Sequence, residues 1–224
     1  MSDEPLIAGV DVGTGSVKAL VFDLRGSVVS SSTVPTPMRR PRPGRAEHDP
    51  EELWAAAARA LREAVDELEE PRRVASVAVA SMAEAGVPLD AHGEPVHDII
   101  AWFDRRSAEQ GRHLEEAVGA DLLAEVAGLR PQPIYGLCKL MWLEQNEPDA
   151  YSRMRAWLNV ADFIAYRLCG EQATDYSLAT RTAALDLGAL HWSPELLAAG
   201  GISEELLPPL TWSGTRLGTV RPDA

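Results

Sequence analysis

One ten-residue stretch concentrates the chemistry. Gly9-Val10-Asp11-Val12-Gly13-Thr14-Gly15-Ser16-Val17-Lys18 puts a carboxylate at the end of an apolar run, two hydroxyls in a glycine turn, and a cation just beyond. Two phosphate-binding loops can be tested against it. A P-loop needs Lys directly after Gly and then Ser or Thr, whereas Lys18 follows Val17. A dinucleotide fingerprint needs a third Gly at position 18 and a helix behind it; Lys18 stands there and β-forming residues follow. A strand-turn-strand device fits. In it, Gly13 and Gly15 permit close approach and positive φ, so backbone N–H groups and the hydroxyls of Thr14 and Ser16 face a phosphate. Asp11 faces the same spot and suits a hydrated Mg²⁺, and Lys18 adds positive charge. An ordinary Gly-rich hairpin has the same letters, so both readings stand at this point.

A second group sits at two later strand ends. Glu84 follows the apolar run Val74–Ala80, in the kind of loop where open α/β sheets place ligands. Trp102 and Asp104 close the next strand. An indole packs on C–H surface and carboxylates accept from hydroxyls, which is the mixed polarity of a small-molecule site. Plainer readings stand beside these: Glu84 as a solvated loop carboxylate, Trp102 as core, Asp104 as the cap of a helix starting at Arg105. The five histidines show no zinc-ligand spacing, and no Gly-x-Ser-x-Gly elbow exists to start a hydrolase triad.

The elements that must position these residues are legible. Leu6–Val12, Val17–Asp23 and Ser27–Val34 read as three strands joined by tight turns. A loop from Pro35 to His48 follows, carrying Arg39, Arg40, Arg42 and Arg45, which read as a solvated charge cluster. Asp49-Pro50-Glu51-Glu52 is a helix start with cap, proline and capping-box carboxylate in place. Leu53, Ala57, Leu61, Ala64, Val65 and Leu68 then mark one buried stripe. Val74–Ala80 is apolar except Ser76 and reads as a strand covered on both faces. Val87–Asp90 and Val96–Ala101 suggest a hairpin about His92-Gly93. Beyond Asp104, helices are expected over Arg105–Val118, Asp121–Ala127, Leu137–Asn146 and Ala161–Leu168, with a short strand near Arg155–Val160. Ser193–Ala199 and Ser203–Leu207 read as short helices, and Leu217–Ala224 closes no element, as at a domain boundary. The pattern is that of an α/β sheet with helices packed on it.

Composition narrows the function. Among 224 residues, 46% are apolar and 25% charged, the balance of a globular chain with a real core. The net charge of −13 repels nucleic-acid backbone and anionic membrane, so neither is an expected partner. The acidic start Met1-Ser2-Asp3-Glu4 is unlike a signal peptide, and the apolar runs are too short for a bilayer. Cys138 and Cys169 have no metal spacing, which suits a reduced, cytoplasmic setting.

Taken in order, four stretches carry a family resemblance. Asp11-Val12-Gly13-Thr14 resembles the first phosphate motif of the FGGY carbohydrate kinases, shared with hexokinase, actin and heat-shock ATPases. Pro43-Gly44-x-Ala46-Glu47-x-Asp49-Pro50 matches that family's run into its first helix. Lys139-Leu140-x-Trp142-Leu143-x-Gln145-Asn146 is similar to the second half of its N-terminal signature, while Ile134 and Gly136 depart from the first half. Thr174-Asp175-Tyr176-Ser177-x-Ala179-Thr180-Arg181-Thr182 resembles its Thr-Asp-x-(Ser/Thr)-x-Ala-Ser-Arg-Thr stretch. The likeness runs from residue 6 to about 220.

The resemblance implies an α/β domain of the ribonuclease H-like (actin/hexokinase) fold, a mixed sheet with helices on both faces. It makes residues 1–224 the N-terminal, sugar-binding domain of a two-domain kinase, with the ATP-binding domain and the catalytic aspartate outside this chain. The expected reaction transfers the ATP γ-phosphate to a hydroxyl of a pentulose, polyol or sugar acid, a xylulose-like ketose first, with ATP and Mg²⁺ as cofactors. Expected contacts are Thr14, Ser16 and Lys18 to phosphate, Asp11 to metal, and Ala83, Glu84, Trp102, Asp104 and Tyr135 to substrate, with Ile134 at the pocket edge. Lys18 stands where glycerol kinase has Arg, and Ala83-Glu84 stands where it has Arg-Glu and xylulokinase has Met-His. Asp175 and Arg181 are expected to form an internal ion pair. A homodimer is among the assemblies such kinases adopt. The alternative is a non-catalytic sugar-binding or assembly module built on the same half-domain.

Overall fold

The computed structural model describes residues 4–222 and 224; the acidic start at Met1–Asp3 lies outside them. In chain order, β1 (Leu6–Val12), β2 (Ser16–Phe22), β3 (Val28–Pro35) and β4 (Glu47–His48) precede α1 (Pro50–Asp66) and β5 (Val74–Ser81). The central sheet has the order β3-β2-β1-β5, antiparallel except for the parallel β1–β5 pair. The expected mixed α/β sheet is therefore present. Alternation along β1 sends Leu6, Ala8, Val10 and Val12 into the core, and leaves Ile7 and Asp11 exposed on the other face.

The first helix forms for the reasons its sequence advertises. Asp49 accepts from the Glu51 and Glu52 amides at 2.9 and 3.0 Å, and Pro50 fills the first helical position. Leu53, Ala57, Ala60 and Ala64 bury a stripe against β1–β3. Glu52, however, does not reach back to close a capping box; it accepts from Arg39 Nη2 at 2.6 Å. Arg39 also lies 2.9 Å from Asp49 and 3.6 Å from Asp98, so this member of the basic loop, though exposed, is tied to the start of α1.

β5 is an edge strand, which corrects the expectation of cover on both faces. Its Val77 and Val79 pack inward, while Ala75, Ala78 and Ala80 stay exposed. A run of small apolar residues reads as buried whichever way it faces, because alanine carries too little surface to demand cover. The strand pairing further on also differs from the hairpin expected. β6 (Gly86–Leu89) pairs antiparallel with β8 (Ala156–Asn159), and β7 (Ile99–Ile100) pairs with β4. A bridge from Leu89 to Pro95, with Val96 N donating to Pro88 O and Asp90 N to Glu94 O, each at 2.9 Å, joins the two halves of the turn.

The helical part comprises α2 (Ala108–Ala127), α3 (Gly136–Asn146), α4 (Pro148–Arg153) and α5 (Val160–Cys169). The two helices expected at 105–118 and 121–127 are one segment broken at Gly119, whose φ of 76° only glycine adopts without strain. Beyond α5 come β9 (Thr174–Asp175), α6 (Tyr176–Ala179), β10 (Leu185–Asp186), β11 (His191–Trp192), α7 (Pro194–Gly200) and β12 (Leu210–Thr211). Phe163 and Ile164 of α5 join the α1 core, so α1 and α5 cover the same face of the sheet. A second core gathers around α3, with Trp142, Trp157 and Trp192. Among the described residues, no helix is long and apolar enough to cross a membrane.

Candidate functional site

β1 and β5 run parallel, so the turn after Val12 and the loop after Ser81 emerge at the same sheet edge. Met82 N donates to Val12 O at 2.8 Å and locks the two together. Within the turn, Gly13 N donates to Ser16 O at 3.0 Å. Neither Gly13 nor Gly15 takes a positive φ, contrary to the sequence expectation. Gly13 is required by space: a Cβ there would stand 2.9 Å from the Ser16 carbonyl oxygen. Thr36, just past β3, braces the turn, its hydroxyl donating to Gly13 O at 2.7 Å.

Asp11 and Lys18 are cross-strand partners in the β1–β2 register, both exposed on the same face. Among the described residues, no group of three His, Cys, Asp or Glu side chains could hold a metal ion, so Asp11 belongs to no such cluster. Thr14 is part-buried, and its Oγ1 accepts from Trp102 Nε1 at 3.0 Å, across 88 positions of sequence. Trp102 is 40% exposed, and its ring meets that of Phe103 in a T-shaped contact with centroids 5.4 Å apart. Ser16 is half-buried at the start of β2.

Glu84 is reached from the other side. It takes a φ of +53°, the left-handed region that a non-glycine residue occupies only when its surroundings enforce it. Two cations do so. The ammonium of Lys139 donates to the Glu84 carbonyl, and also to Ile100 O and Ala101 O at 3.1 and 3.2 Å. Arg181 donates to Glu84 Oε1 through Nε at 2.6 Å, and its Nη2 approaches the same oxygen. The Arg181 guanidinium lies 5.4 Å from the Tyr135 ring centroid, a cation–π contact. Tyr135 is buried, with its hydroxyl donating to Arg130 O at 3.1 Å, and burial raises its pKa. Ala83 and Ile134 are half-buried beside these groups in sequence.

Asp104 faces inward. It is fully buried, and its oxygens accept from Ala46 N at 2.7 Å, Arg106 N at 2.8 Å, Arg106 Nε at 3.0 Å and Arg106 Nη2 at 2.8 Å. Burial pushes its pKa up, but the bonds from Arg106 and Ala46 outweigh this and hold it below the usual carboxylate value. Nor does it cap a helix at Arg105, since α2 begins at Ala108. The expected Asp175–Arg181 pair is replaced as well. Asp175 caps α6, accepting from Leu178 N at 2.9 Å, while Arg181 turns to Glu84. Only the fold brings residues 97 positions apart together, which is why the nearer carboxylate looked like the partner.

Sequence reasoning missed Lys139 as a site residue. The signal was a single lysine inside Leu137–Leu143, an otherwise apolar helix, where a charge needs a dedicated partner. Lys139 is fully buried, and burial draws its pKa down to about 7, while the Glu84 and Asp104 carboxylates act the other way. Three carbonyl acceptors match the three N–H bonds of an ammonium.

Known proteins resemble this chain over nearly all of its length. Residues 6–224 match the family model described as the FGGY family of carbohydrate kinases, N-terminal domain. A glycerol kinase of Thermococcus onnurineus is 34% identical over 220 residues, covering 96% of this chain and 44% of that protein. A xylulose kinase of Streptomyces rubiginosus is 37% identical, covering 98% and 45%. The crystal structure of a xylulose kinase from Rhodospirillum rubrum superposes with a TM-score of 0.91 at 27% identity, covering 98% of this chain and 45% of that one. The chain thus spans less than half the length of these relatives.

Proposed function

Because the chain belongs to the FGGY family of carbohydrate kinases, we propose that it is the substrate-binding N-terminal half of an ATP-dependent sugar or polyol kinase. The reaction in this reading moves the ATP γ-phosphate onto a hydroxyl of a pentulose, polyol or sugar acid, with a xylulose-like ketose as first candidate. The catalytic base and the adenosine site belong to a second domain outside residues 1–224. The observation that carries the reading is the bond from Trp102 Nε1 to Thr14 Oγ1, which sets a sugar-stacking indole beside a phosphate turn.

Each residue then has a task. The Trp102 face packs on the C–H surface of the substrate, and the Glu84 oxygen left free by Arg181 accepts from its hydroxyls. Ala83 and Tyr135 shape the wall, and Asp104 acts from beneath by fixing the Trp102 segment. Backbone amides of the turn beyond Gly13, the Thr14 and Ser16 hydroxyls and the Lys18 ammonium face the transferring phosphate, whose charge they offset. The exposed Asp11 carboxylate suits Mg²⁺, an ion that keeps most of its water and binds through one or two carboxylates and phosphate oxygens. That ion supplies neutralisation of the phosphate oxygens when bound.

The test is coupled ADP release by the full-length polypeptide with glycerol, D-xylulose and gluconate. Turnover on the order of 1–100 s⁻¹ with one of them is expected, and Trp102→Ala should raise the KM for that substrate while leaving the KM for ATP alone. Sugar binding by the full-length polypeptide without any ADP release would instead favour the non-catalytic module.

A further inference from the structure

We propose that Lys139 and Arg181 are positioning residues that jointly set the Glu84 carboxylate opposite the Trp102 indole. The inference rests on the reading of Glu84 and Trp102 as substrate contacts. Three observations carry it. First, the Lys139 ammonium collects carbonyls from two separate loops: Glu84, after β5, and Ile100 with Ala101, immediately before Trp102. One buried atom therefore fixes the spacing of the two loops that present the pocket, and being fully buried it cannot itself meet a ligand. Second, the backbone of Glu84 sits at φ +53°, a conformation that reverts toward the common regions unless held. Third, Arg181 takes Glu84 Oε1 with two nitrogens of its fork, which leaves Oε2 without a partner among the described residues and aimed by the pair.

The alternative is that both cations only satisfy buried acceptors. A stability role of that kind lowers the folded fraction without separating the sugar KM from the ATP KM. A positioning role does separate them, because a carboxylate displaced by an ångström loses its hydroxyl contacts while the phosphate turn is untouched.

The experiment uses the full-length polypeptide and the variants Glu84→Gln, Arg181→Gln, Arg181→Lys and Lys139→Met, with glycerol and D-xylulose as probes. Expected is a rise of about tenfold or more in the probe KM for Arg181→Gln and Lys139→Met, at unchanged ATP KM. Arg181→Lys should recover part of it, and the double variant should fall short of the product of the two singles, since both act through Glu84. If Lys139→Met does not fold, the Arg181 pair decides. A probe KM raised by Glu84→Gln but within twofold of wild type in Arg181→Gln overturns the inference. A probe KM unaffected by Glu84→Gln overturns the substrate reading itself.

Discussion

Asp104→Asn separates a strut from a substrate contact. The carboxylate is fully buried, and the Arg106 side chain that grips it is 2% exposed. Oδ1 accepts from Arg106 N and Nε, and Oδ2 accepts from Ala46 N and Arg106 Nη2. An asparagine keeps the shape but turns one oxygen into an NH₂ group that faces two donors. It also removes one of the two negative charges around Arg106, leaving Glu47 at 2.6 Å alone. Breaking a buried ion pair from one side costs about 3–5 kcal/mol, because the remaining charge stays desolvated. In a domain of this size each kcal/mol moves Tm by roughly 2–4 °C, so a fall of about 6–20 °C is expected by calorimetry. The pH dependence has a fixed sign. The folded pKa lies below the ordinary value, so the stabilisation is present above that ordinary value and lost as pH falls through the folded one. The gap between wild type and variant should therefore close below about pH 4. A variant with Tm within about 3 °C of wild type at pH 7, yet with sugar affinity lost, would refute the strut and make Asp104 a substrate contact.

Three further outcomes follow from packing elsewhere in the fold. A Cβ at Gly86 would stand 2.3 Å from the buried Trp157 indole, so Gly86→Ala should cost about 1–3 kcal/mol in urea titration; an unchanged midpoint contradicts the packing. Burial pushes the Asp162 pKa up to about 7, against bonds from Thr174 and Asn159. A raised folded pKa gives stability that is full below the unfolded value and lost as pH rises through about 7. Wild type should lose about 1 kcal/mol per pH unit relative to Asp162→Asn between pH 4 and 7 and run parallel above; a flat difference removes the argument. Burial also pushes the fully buried Cys138 thiol up to about 12, so it should resist disulfide reagents at pH 8 until guanidinium unfolds the chain; labelling of Cys138 within seconds in native protein would show that it is accessible.

Local order was legible where local physics decides it. The β1–β2–β3 meander, the Asp49 cap and the α1 stripe appear as read, because alternation, capping and helical spacing are properties of neighbouring residues. The glycine turn after β1 likewise lies where it was expected, though Gly13 is needed there for space and not for a positive φ. What failed was pairing at a distance. β7 chose β4 over the nearer strand, and Arg39 pairs with Asp49, Glu52 and Asp98 while remaining exposed.

From the sequence alone came the strand-turn-strand unit with its glycine turn, the acidic net charge, the family likeness and the identities of Glu84, Trp102 and Tyr135 as candidates. Tertiary structure decided which of their partners are real. It set Thr14 against Trp102, turned Asp104 inward onto Arg106, and gave Glu84 to Lys139 and Arg181 instead of leaving it to water. The reason is physical: a buried charge must find its counter-charge or its carbonyls somewhere in the fold, and chain separation costs little once the core has closed.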